Sequence, residues 1–265
     1  MFTIQHLSLK IQHKTLVEIP NLTIQSGKFT ALIGPNGAGK TTFLNLLAGD
    51  LTPTNGTIEL DGKSLTDYSI EELATKRSVL PQSEHIPFAI KSRAILLMGI
   101  MPHHVHFNHP KVLELLAHIS EILELNTLLD VPYQILSGGE QHRVQIGRVL
   151  MQTLFSFEES PVLTHKVMLL DEPFNHLDLY HQQQLLRYLK FLTKQGLTII
   201  CVMHDLNHAL QVADQIVLLK QGILQGTYAP QELWDSQILQ EIFKVDFMKL
   251  QHLENPNISA LAFQI

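Results

Sequence analysis

The sequence predicts an α/β protein in which helices flank a mostly parallel β-sheet. Short apolar runs rich in β-branched residues alternate with helical patterns, and a glycine-rich loop separates the first such pair. The strand-like runs are "FTALIG", "VMLL", "LTIICVM" and "QIVLLKQG", and the helical runs are "TTFLNLLAG", "YHQQQLLRYLKFLTKQG" and "DLNHALQVAD". In such folds the carboxyl ends of the strands carry the ligand-binding groups.

Two regions depart from this alternation. Residues 1–30 and "GTIELDGKSL", 56–65, have apolar residues at every second position, which predicts an antiparallel β portion packed beside the main sheet. Between Pro81 and Leu136 the pattern becomes helical, and Pro110 suits the first turn of the helix "PKVLELLAHISEILEL". We therefore expect one domain with a core of residues 1–82 and 137–265, and an α-helical subdomain of residues 83–136.

The composition excludes several classes of protein. Hydrophobic residues make up 45% of the chain, charged residues 17%, and the formal net charge is -6, so there is no basic stripe for nucleic acid. The single cysteine, Cys201, lies in an apolar run, which indicates a buried, reduced thiol. The N-terminus lacks a signal-peptide pattern, and the longest apolar stretch, 94–101, is far shorter than the roughly 20 residues that span a bilayer. A role in transport would therefore require separate membrane subunits.

The loop "GPNGAGKTT" matches the phosphate-binding pattern G-x-x-x-x-G-K-[ST] and lies between a strand and a helix, as in a P-loop nucleotide hydrolase. Its glycines let backbone N–H groups point at phosphate oxygens, and the following helix N-terminus attracts the same anion. We expect Lys40 to reach the β- and γ-phosphates and Thr41 to offer a hydroxyl to Mg²⁺. The predicted nucleotide-binding residues of the loop are Gly34, Pro35, Asn36, Gly37, Ala38, Gly39, Lys40, Thr41 and Thr42.

Two further apolar strands end in side chains that suit nucleotide hydrolysis. "VMLLDEP" delivers Asp171, which suits Mg²⁺, and Glu172, which can polarise the water that attacks the γ-phosphate. "IICVMHD" delivers His204 in the same way, and we expect it to sense the γ-phosphate. The alternative for the two acids is a simple strand end beside a turn, and the phosphate loop upstream favours the catalytic interpretation.

The run "LSGGEQHR", 136–143, has the pattern of a second anion site, since a serine and two glycines lead into a helix. The same pattern fits an ordinary helix cap. One nucleotide has only one triphosphate, so the sequence leaves open what this second loop binds.

In this order the motifs resemble those of ABC-type ATPases, and the resemblance covers essentially the whole chain. It identifies Gln82 in "VLPQ" as the Q-loop glutamine, 136–140 as the signature, Asp178 as the end of the D-loop "NHLD" and His204 as the switch histidine. It implies ATP and Mg²⁺ as cofactors. The implied catalytic residues are Glu172, His204 and Gln82, and the implied Mg²⁺ ligands are Thr41, Gln82 and Asp171.

The resemblance also implies a homodimer in which two copies pair head to tail. Each signature loop then covers the nucleotide on the partner's phosphate loop, through residues Ser137, Gly138, Gly139 and Glu140. Because the γ-phosphate contacts both copies, its loss is expected to loosen the dimer.

Two positions depart from the family pattern. Ile11 aligns near the place where an aromatic ring often stacks on adenine, so apolar contact is expected to replace stacking. The D-loop has Asn175 and His176 where small residues are usual, and the sequence leaves their effect open.

A single cassette without a fused membrane domain resembles a bacterial importer subunit of the iron-siderophore, cobalamin and haem branch. This implies two copies of a membrane permease, a periplasmic or surface substrate-binding protein, and a peripheral position on the cytoplasmic face of the inner membrane. The run "MQTLFSFEESPVLTHK", 151–166, is longer than usual and resembles haem-importing ATPases, although a tolerated loop insertion is the alternative. The cargo therefore stays open between haem, a ferric siderophore and cobalamin.

Three other interpretations fit the sequence less well. The histidines of "HHVHFNH", 103–109, could bind metal or haem, but they lack a second fixed ligand pair and fall in an expected loop. A soluble ABC protein of translation or DNA repair usually has two cassettes or long insertions, which this sequence lacks. Intact Lys40, Asp171, Glu172 and His204 speak against an inactive regulatory module.

Overall fold

A computed structural model describes residues 1–83, 86–158, 162–234, 237–251 and 259–263. The chain divides into two compact units. The first comprises Met1–Ile24, Lys28–Gly62 and Ile200–Ile265, and the second comprises Gln25–Gly27 and Lys63–Ile199. Within the described part, no helix combines the length and the apolar character needed to cross a membrane.

Strands and helices alternate along most of the described chain. The strands are β1 Phe2–Ile11, β2 Lys14–Ile24, β3 Phe29–Ile33, β4 Asn55–Leu60, β5 Lys63–Ser64, β6 Arg77–Leu80, β7 Val167–Asp171, β8 Thr198–Val202, β9 Gln215–Lys220, β10 Ile223–Tyr228, β11 Phe247–Gln251 and β12 Ser259–Phe263. The α-helices are α1 Lys40–Ala48, α2 Ile70–Lys76, α3 Ser92–Met98, α4 Pro110–Ile122, α5 Gly138–Leu154, α6 Leu179–Lys194, α7 Leu206–Val212, α8 Pro230–Leu233 and α9 Gln237–Phe243. The predicted α/β arrangement is confirmed.

The first unit contains a mixed sheet with the strand order β4-β1-β2-β10-β9-β3, followed by the last residues of β8. Strand β3 is parallel to β9, β10 is antiparallel to β9, and β1 is antiparallel to both β2 and β4. Ile223 of β10 pairs in parallel with Glu18 of β2. The predicted antiparallel portion is confirmed, and its strands continue the same sheet through β10. Strands β11 and β12 form a separate antiparallel pair.

The burial of the strands follows from their composition. All five residues of β3 are buried, as expected for a central parallel strand covered on both faces. Strand β1 instead alternates, with Phe2, Ile4, Leu7 and Leu9 buried. Each fully buried Leu, Ile or Phe side chain contributes about 2 kcal/mol to folding. Strand β3 thus provides a rigid base for the loop that follows it.

In the second unit, α5 packs against α3, α4, β6 and β7, and β6 pairs in parallel with β7. The described residues between 83 and 136 form α3, α4 and short 3₁₀ helices, with an isolated bridge between Lys91 and Pro132. Pro110 occupies the first turn of α4, and the His109 side chain accepts a hydrogen bond from Lys111 N. The helical character of this segment agrees with the sequence, while the proposed boundaries of the subdomain remain a prediction.

Candidate functional site

The phosphate loop lies in the first unit, between β3 and α1. Gly34, Gly37 and Gly39 all have positive φ angles, of 153°, 74° and 92°. Helix α1 begins directly after Gly39, and Phe43 N donates to Gly39 O over 2.8 Å. This is the strand-loop-helix setting that lets backbone N–H groups and a helix N-terminus face an anion.

Lys40 is buried and folds back over its own loop. Its Nζ donates to Gly34 O at 2.8 Å and to Pro35 O at 3.1 Å. These carbonyls satisfy part of the ammonium's hydrogen-bonding capacity. The ammonium group therefore lies inside the loop that the sequence assigns to phosphate. Thr41 and Thr42, the next two residues, are half-buried in the first turn of α1.

Gly34 and Gly37 make a matched pair for testing the shape of this loop. A Cβ on Gly34 would lie 2.1 Å from Leu219 O, whereas a Cβ on Gly37 would meet no described atom within 4 Å. We expect Gly34→Ala to lower the free energy of unfolding by more than about 3 kcal/mol and Gly37→Ala by about 1 kcal/mol. Thermal and urea unfolding measure both, and equal losses would contradict the packing of Gly34 against β9.

His204 follows β8 and is exposed. The preceding residue, Met203, donates its N–H to Leu32 O at 3.1 Å, which places the end of β8 beside the end of β3 in the first unit. Asp205 then begins α7, and its carboxylate accepts from His208 N at 3.1 Å. His204 therefore follows the end of β8, which lies beside the end of β3, and β3 leads into the phosphate loop. The proposed role of His204 as γ-phosphate sensor stays a prediction.

Ile11 ends β1 and pairs with Lys14 across the turn into β2. Its side chain is 56% exposed, which is unusual for isoleucine and leaves an apolar surface open to a partner. A contact with adenine remains a prediction.

The two acids predicted at a strand end lie in the second unit. Asp171 is buried as the last residue of β7, and Glu172 is half-buried directly after it. The backbone of Glu172 has φ 54°, a left-handed conformation that is uncommon for glutamate and is found at functional turns. Gln82 Nε2 donates to Glu172 Oε1 at 3.1 Å, and Asn175 Nδ2 donates to Glu172 Oε2. The structure therefore joins the predicted base to the Q-loop glutamine and to an unpredicted asparagine.

The signature loop forms a complete capping box at the start of α5. Ser137 Oγ accepts from Glu140 N at 3.4 Å, and Glu140 Oε2 accepts from Ser137 N at 2.8 Å and Ser137 Oγ at 2.7 Å. The hydroxyl and the backbone amide of Ser137 hold the pKa of the Glu140 carboxyl below its ordinary value. The helix-cap interpretation of "LSGGE" is thus correct for the single chain, and it is compatible with a second role in a dimer.

The two signature glycines have different surroundings. A Cβ on Gly139 would lie 2.7 Å from His176 O, so this glycine allows close contact with the D-loop. A Cβ on Gly138 would meet none of the described atoms within 4 Å. Within the second unit the signature and the D-loop are therefore packed together, with Gly138 left accessible.

The D-loop leads into α6, and Asp178 is the N-cap of that helix. Asp178 Oδ1 accepts from His181 N at 2.9 Å and lies 2.9 Å from His181 Nδ1. The backbone hydrogen bond from His181 makes the larger contribution, and together with the His181 side chain it holds the pKa of Asp178 below its ordinary value. His181 Nε2 in turn lies 2.7 Å from Arg143 Nη1 on the signature helix. Sequence reasoning missed this link because it joins residues 38 positions apart.

His142, also missed, makes another link between the signature helix and the D-loop. Its Nε2 lies 2.8 Å from Pro173 O, and its ring centroid is 6.2 Å from that of His176. Burial lowers the pKa of His142, which favours a neutral ring that donates to the Pro173 carbonyl.

The histidines of 103–109 have structural contacts. His103 Nε2 lies 2.9 Å from Gln152 O, and burial lowers its pKa. Among the described residues, no group of three or more His, Cys, Asp or Glu side chains could hold a metal ion.

In the extended run 151–166, Lys166 Nζ donates to Thr153 O and Phe155 O at 2.8 and 3.2 Å. Residues 159–161 of that run lie outside the described residues.

The chain matches a known protein family and known proteins. The ABC transporter family model matches residues 17–175. The hemin import ATP-binding protein HmuV of Escherichia coli O157:H7 is 35% identical over 256 residues, which is 96% of each chain. HmuV of Hahella chejuensis (strain KCTC 2396) is 37% identical over 243 residues, covering 91% of this chain and 92% of the relative.

Solved structures show the same fold. An inward-facing metal-chelate type ABC transporter aligns with a TM-score of 0.77 at 23% identity, over 100% of this chain and 97% of that chain. The dimeric ATP-binding cassette MJ0796 bound to ADP and Pi aligns with a TM-score of 0.74 at 24% identity, over 87% of this chain and 99% of that chain.

Proposed function

We propose that this chain, which belongs to the ABC transporter family, is the ATP-hydrolysing subunit of an importer for haem. The family resemblance that the motifs indicate is confirmed, and with it the activity of an ATPase coupled to transport. The observation that carries the proposed cargo is the match to two hemin import ATP-binding proteins over more than nine-tenths of each chain.

The residues of the first unit bind nucleotide in this proposal. The phosphate loop, 34–42, holds the triphosphate of ATP through its backbone N–H groups, and Lys40 exchanges the Gly34 and Pro35 carbonyls for phosphate oxygens. Ile11 packs against the adenine, and His204 hydrogen-bonds the γ-phosphate. The observations in support are the left-handed glycines and the buried lysine within one strand-loop-helix segment.

The residues of the second unit carry out hydrolysis in this proposal. Glu172 takes the proton from the attacking water. Gln82 couples the nucleotide site to the surface that contacts the permease. Mg²⁺ fits the predicted donor set, since the Asp171 carboxylate, the Thr41 hydroxyl and the Gln82 amide all offer hard oxygen atoms. A bound Mg²⁺ would supply charge stabilisation to the phosphate oxygens.

The working unit in this proposal is a homodimer with two copies of a membrane permease. Residues 137–140 of each copy cap the nucleotide on the other copy, and ATP therefore closes the dimer. A periplasmic or surface substrate-binding protein delivers the cargo, and the ATPase sits peripherally on the cytoplasmic face of the inner membrane. The family and the dimeric cassette of the same fold support this arrangement.

Transport by the reconstituted importer tests the cargo. The chain is combined with its permease in proteoliposomes, with ATP inside and the binding protein loaded with haem, a ferric siderophore or cobalamin outside. We expect haem to accumulate in an ATP-dependent way and to raise ATP hydrolysis several-fold, while the other two loads leave both rates at the level without cargo. A complex with Lys40→Ala gives the background. Uptake of the siderophore or cobalamin in place of haem would overturn the cargo assignment and leave the ATPase assignment intact.

A further inference from the structure

We propose that Asn175 is a positioning residue for Glu172, and that it holds the carboxylate in the orientation required for proton abstraction. This inference rests on the proposed function, in which Glu172 is the general base. It gives a role to the D-loop position where the chain has asparagine in place of a small residue.

The turn that follows β7 brings the two side chains together. Glu172 adopts φ 54°, and Asn175 N donates to Glu172 O at 3.1 Å. The tight turn directs the Asn175 side chain back onto the residue three positions earlier, where its Nδ2 donates to Glu172 Oε2. The left-handed backbone of Glu172 and the Asn175 side chain therefore belong to one local arrangement.

The Glu172 carboxylate is bound at both oxygens by neutral amides. Gln82 Nε2 binds Oε1 at 3.1 Å from the segment after β6, and Asn175 binds Oε2 from the turn after β7. Amide donors of this kind stabilise the ionised carboxylate by hydrogen bonding and carry no positive charge of their own. A lysine or arginine at the same place would bind the charge more strongly and weaken the base.

The two amides have different functions in this proposal. A base must present one oxygen to the attacking water, and each carboxylate oxygen has a second lone pair that can accept from that water while an amide is bound. Gln82 lies 90 positions away on another segment, whereas Asn175 lies in the same turn as Glu172. Asn175 therefore keeps Oε2 fixed from within the turn, and in this proposal Oε1 faces the attacking water.

Three substitutions of Asn175 in the full-length chain separate the donor from the rest of the side chain. Asn175→Ala removes the donor, Asn175→Asp has the same shape but replaces the amide donor with a second carboxylate, and Asn175→Gln keeps the amide on a longer stem. We expect kcat for ATP to fall roughly tenfold in Asn175→Ala, further in Asn175→Asp and least in Asn175→Gln, with KM within about twofold of wild type. Asn126→Ala, the same change at an exposed asparagine outside the site, is the control and should retain the wild-type kcat within about threefold.

A double-mutant cycle shows whether Asn175 acts through Glu172. In single-turnover hydrolysis, Asn175→Ala should add less than about twofold to the defect of Glu172→Gln, because the positioned group is already gone. A full tenfold loss on top of Glu172→Gln, or Asn175→Asp as active as wild type, would overturn the inference. Normal hydrolysis by Glu172→Gln itself would instead reject the proposed base, which distinguishes failure of the function from failure of this inference.

Discussion

Glu172→Gln is expected to lower kcat for ATP by roughly a thousandfold while leaving ATP affinity nearly unchanged. The amide keeps the size of the side chain and can still hydrogen-bond at Oε1, but it cannot accept the proton of the attacking water. ATP that is bound and not hydrolysed should keep the dimer closed. We therefore expect the variant to elute as a dimer with MgATP in size-exclusion chromatography, whereas the wild type returns to the monomer as it turns over.

The matched control for this variant is Glu71→Gln, the same change at an exposed position in the first turn of α2. It should retain wild-type hydrolysis and lose at most about 0.5 kcal/mol of stability. Hydrolysis by Glu172→Gln at a rate close to that of Glu71→Gln would show that another group is the base.

Lys40→Ala is expected to weaken ATP binding by more than about a hundredfold, which corresponds to roughly 3 kcal/mol. The substitution removes the positive charge from the phosphate loop, together with the two hydrogen bonds from Nζ to Gly34 O and Pro35 O. Those carbonyls point into the loop, and without the ammonium they repel phosphate oxygens. Equilibrium binding of a fluorescent ATP analogue measures the loss.

A folding defect must be separated from a binding defect in this variant. Gly37→Ala serves as the comparison, since it changes the backbone of the same loop without removing the ammonium. A Lys40→Ala chain that keeps the wild-type melting temperature within a few degrees and still binds ATP within a few-fold of wild type would contradict the phosphate role of Lys40.

The strands and helices that support the site could be predicted because their signals are local. Strand β3, the loop after it and α1 follow from an apolar run, three glycines and apolar residues at helical spacing. The buried strands β7 and β8 could be predicted from their apolar runs in the same way, and polar residues lie at their carboxyl ends. The apolar runs, and the polar residues at their carboxyl ends, therefore pointed to Asp171, Glu172 and His204 in the sequence.

The relations between distant segments could not be predicted in the same way. The continuation of the sheet through β10 depends on a pairing of Ile223 with Glu18, for which neither strand carries a sequence signal. Asn175 looked only like an oversized D-loop residue, because its hydrogen bond to Glu172 depends on a left-handed backbone at a glutamate. The links from His142 and Arg143 to the D-loop region likewise require tertiary contacts.

The isolated chain explains only one of the two roles proposed for the signature loop. Ser137 caps α5 by accepting from Glu140 N, and its hydroxyl and backbone N–H donate to the Glu140 carboxylate, while Gly138 remains accessible. The proposed dimer gives these groups a second task, in which the Ser137 hydroxyl exchanges the carboxylate for the partner's γ-phosphate. That exchange makes ATP hydrolysis a property of two copies of the chain.

The central claim, that each hydrolytic site combines two copies, is tested most directly by mixing two inactive chains. A Lys40→Ala chain and a Ser137→Arg chain carry different affinity tags, and tandem purification isolates the heterodimer after equal amounts are mixed. Since the heterodimer has one site with an intact phosphate loop and an intact signature, it should hydrolyse ATP at about half the wild-type rate, and the unpurified mixture at about a quarter. Verified heterodimers as inactive as the two parents would contradict the composite site.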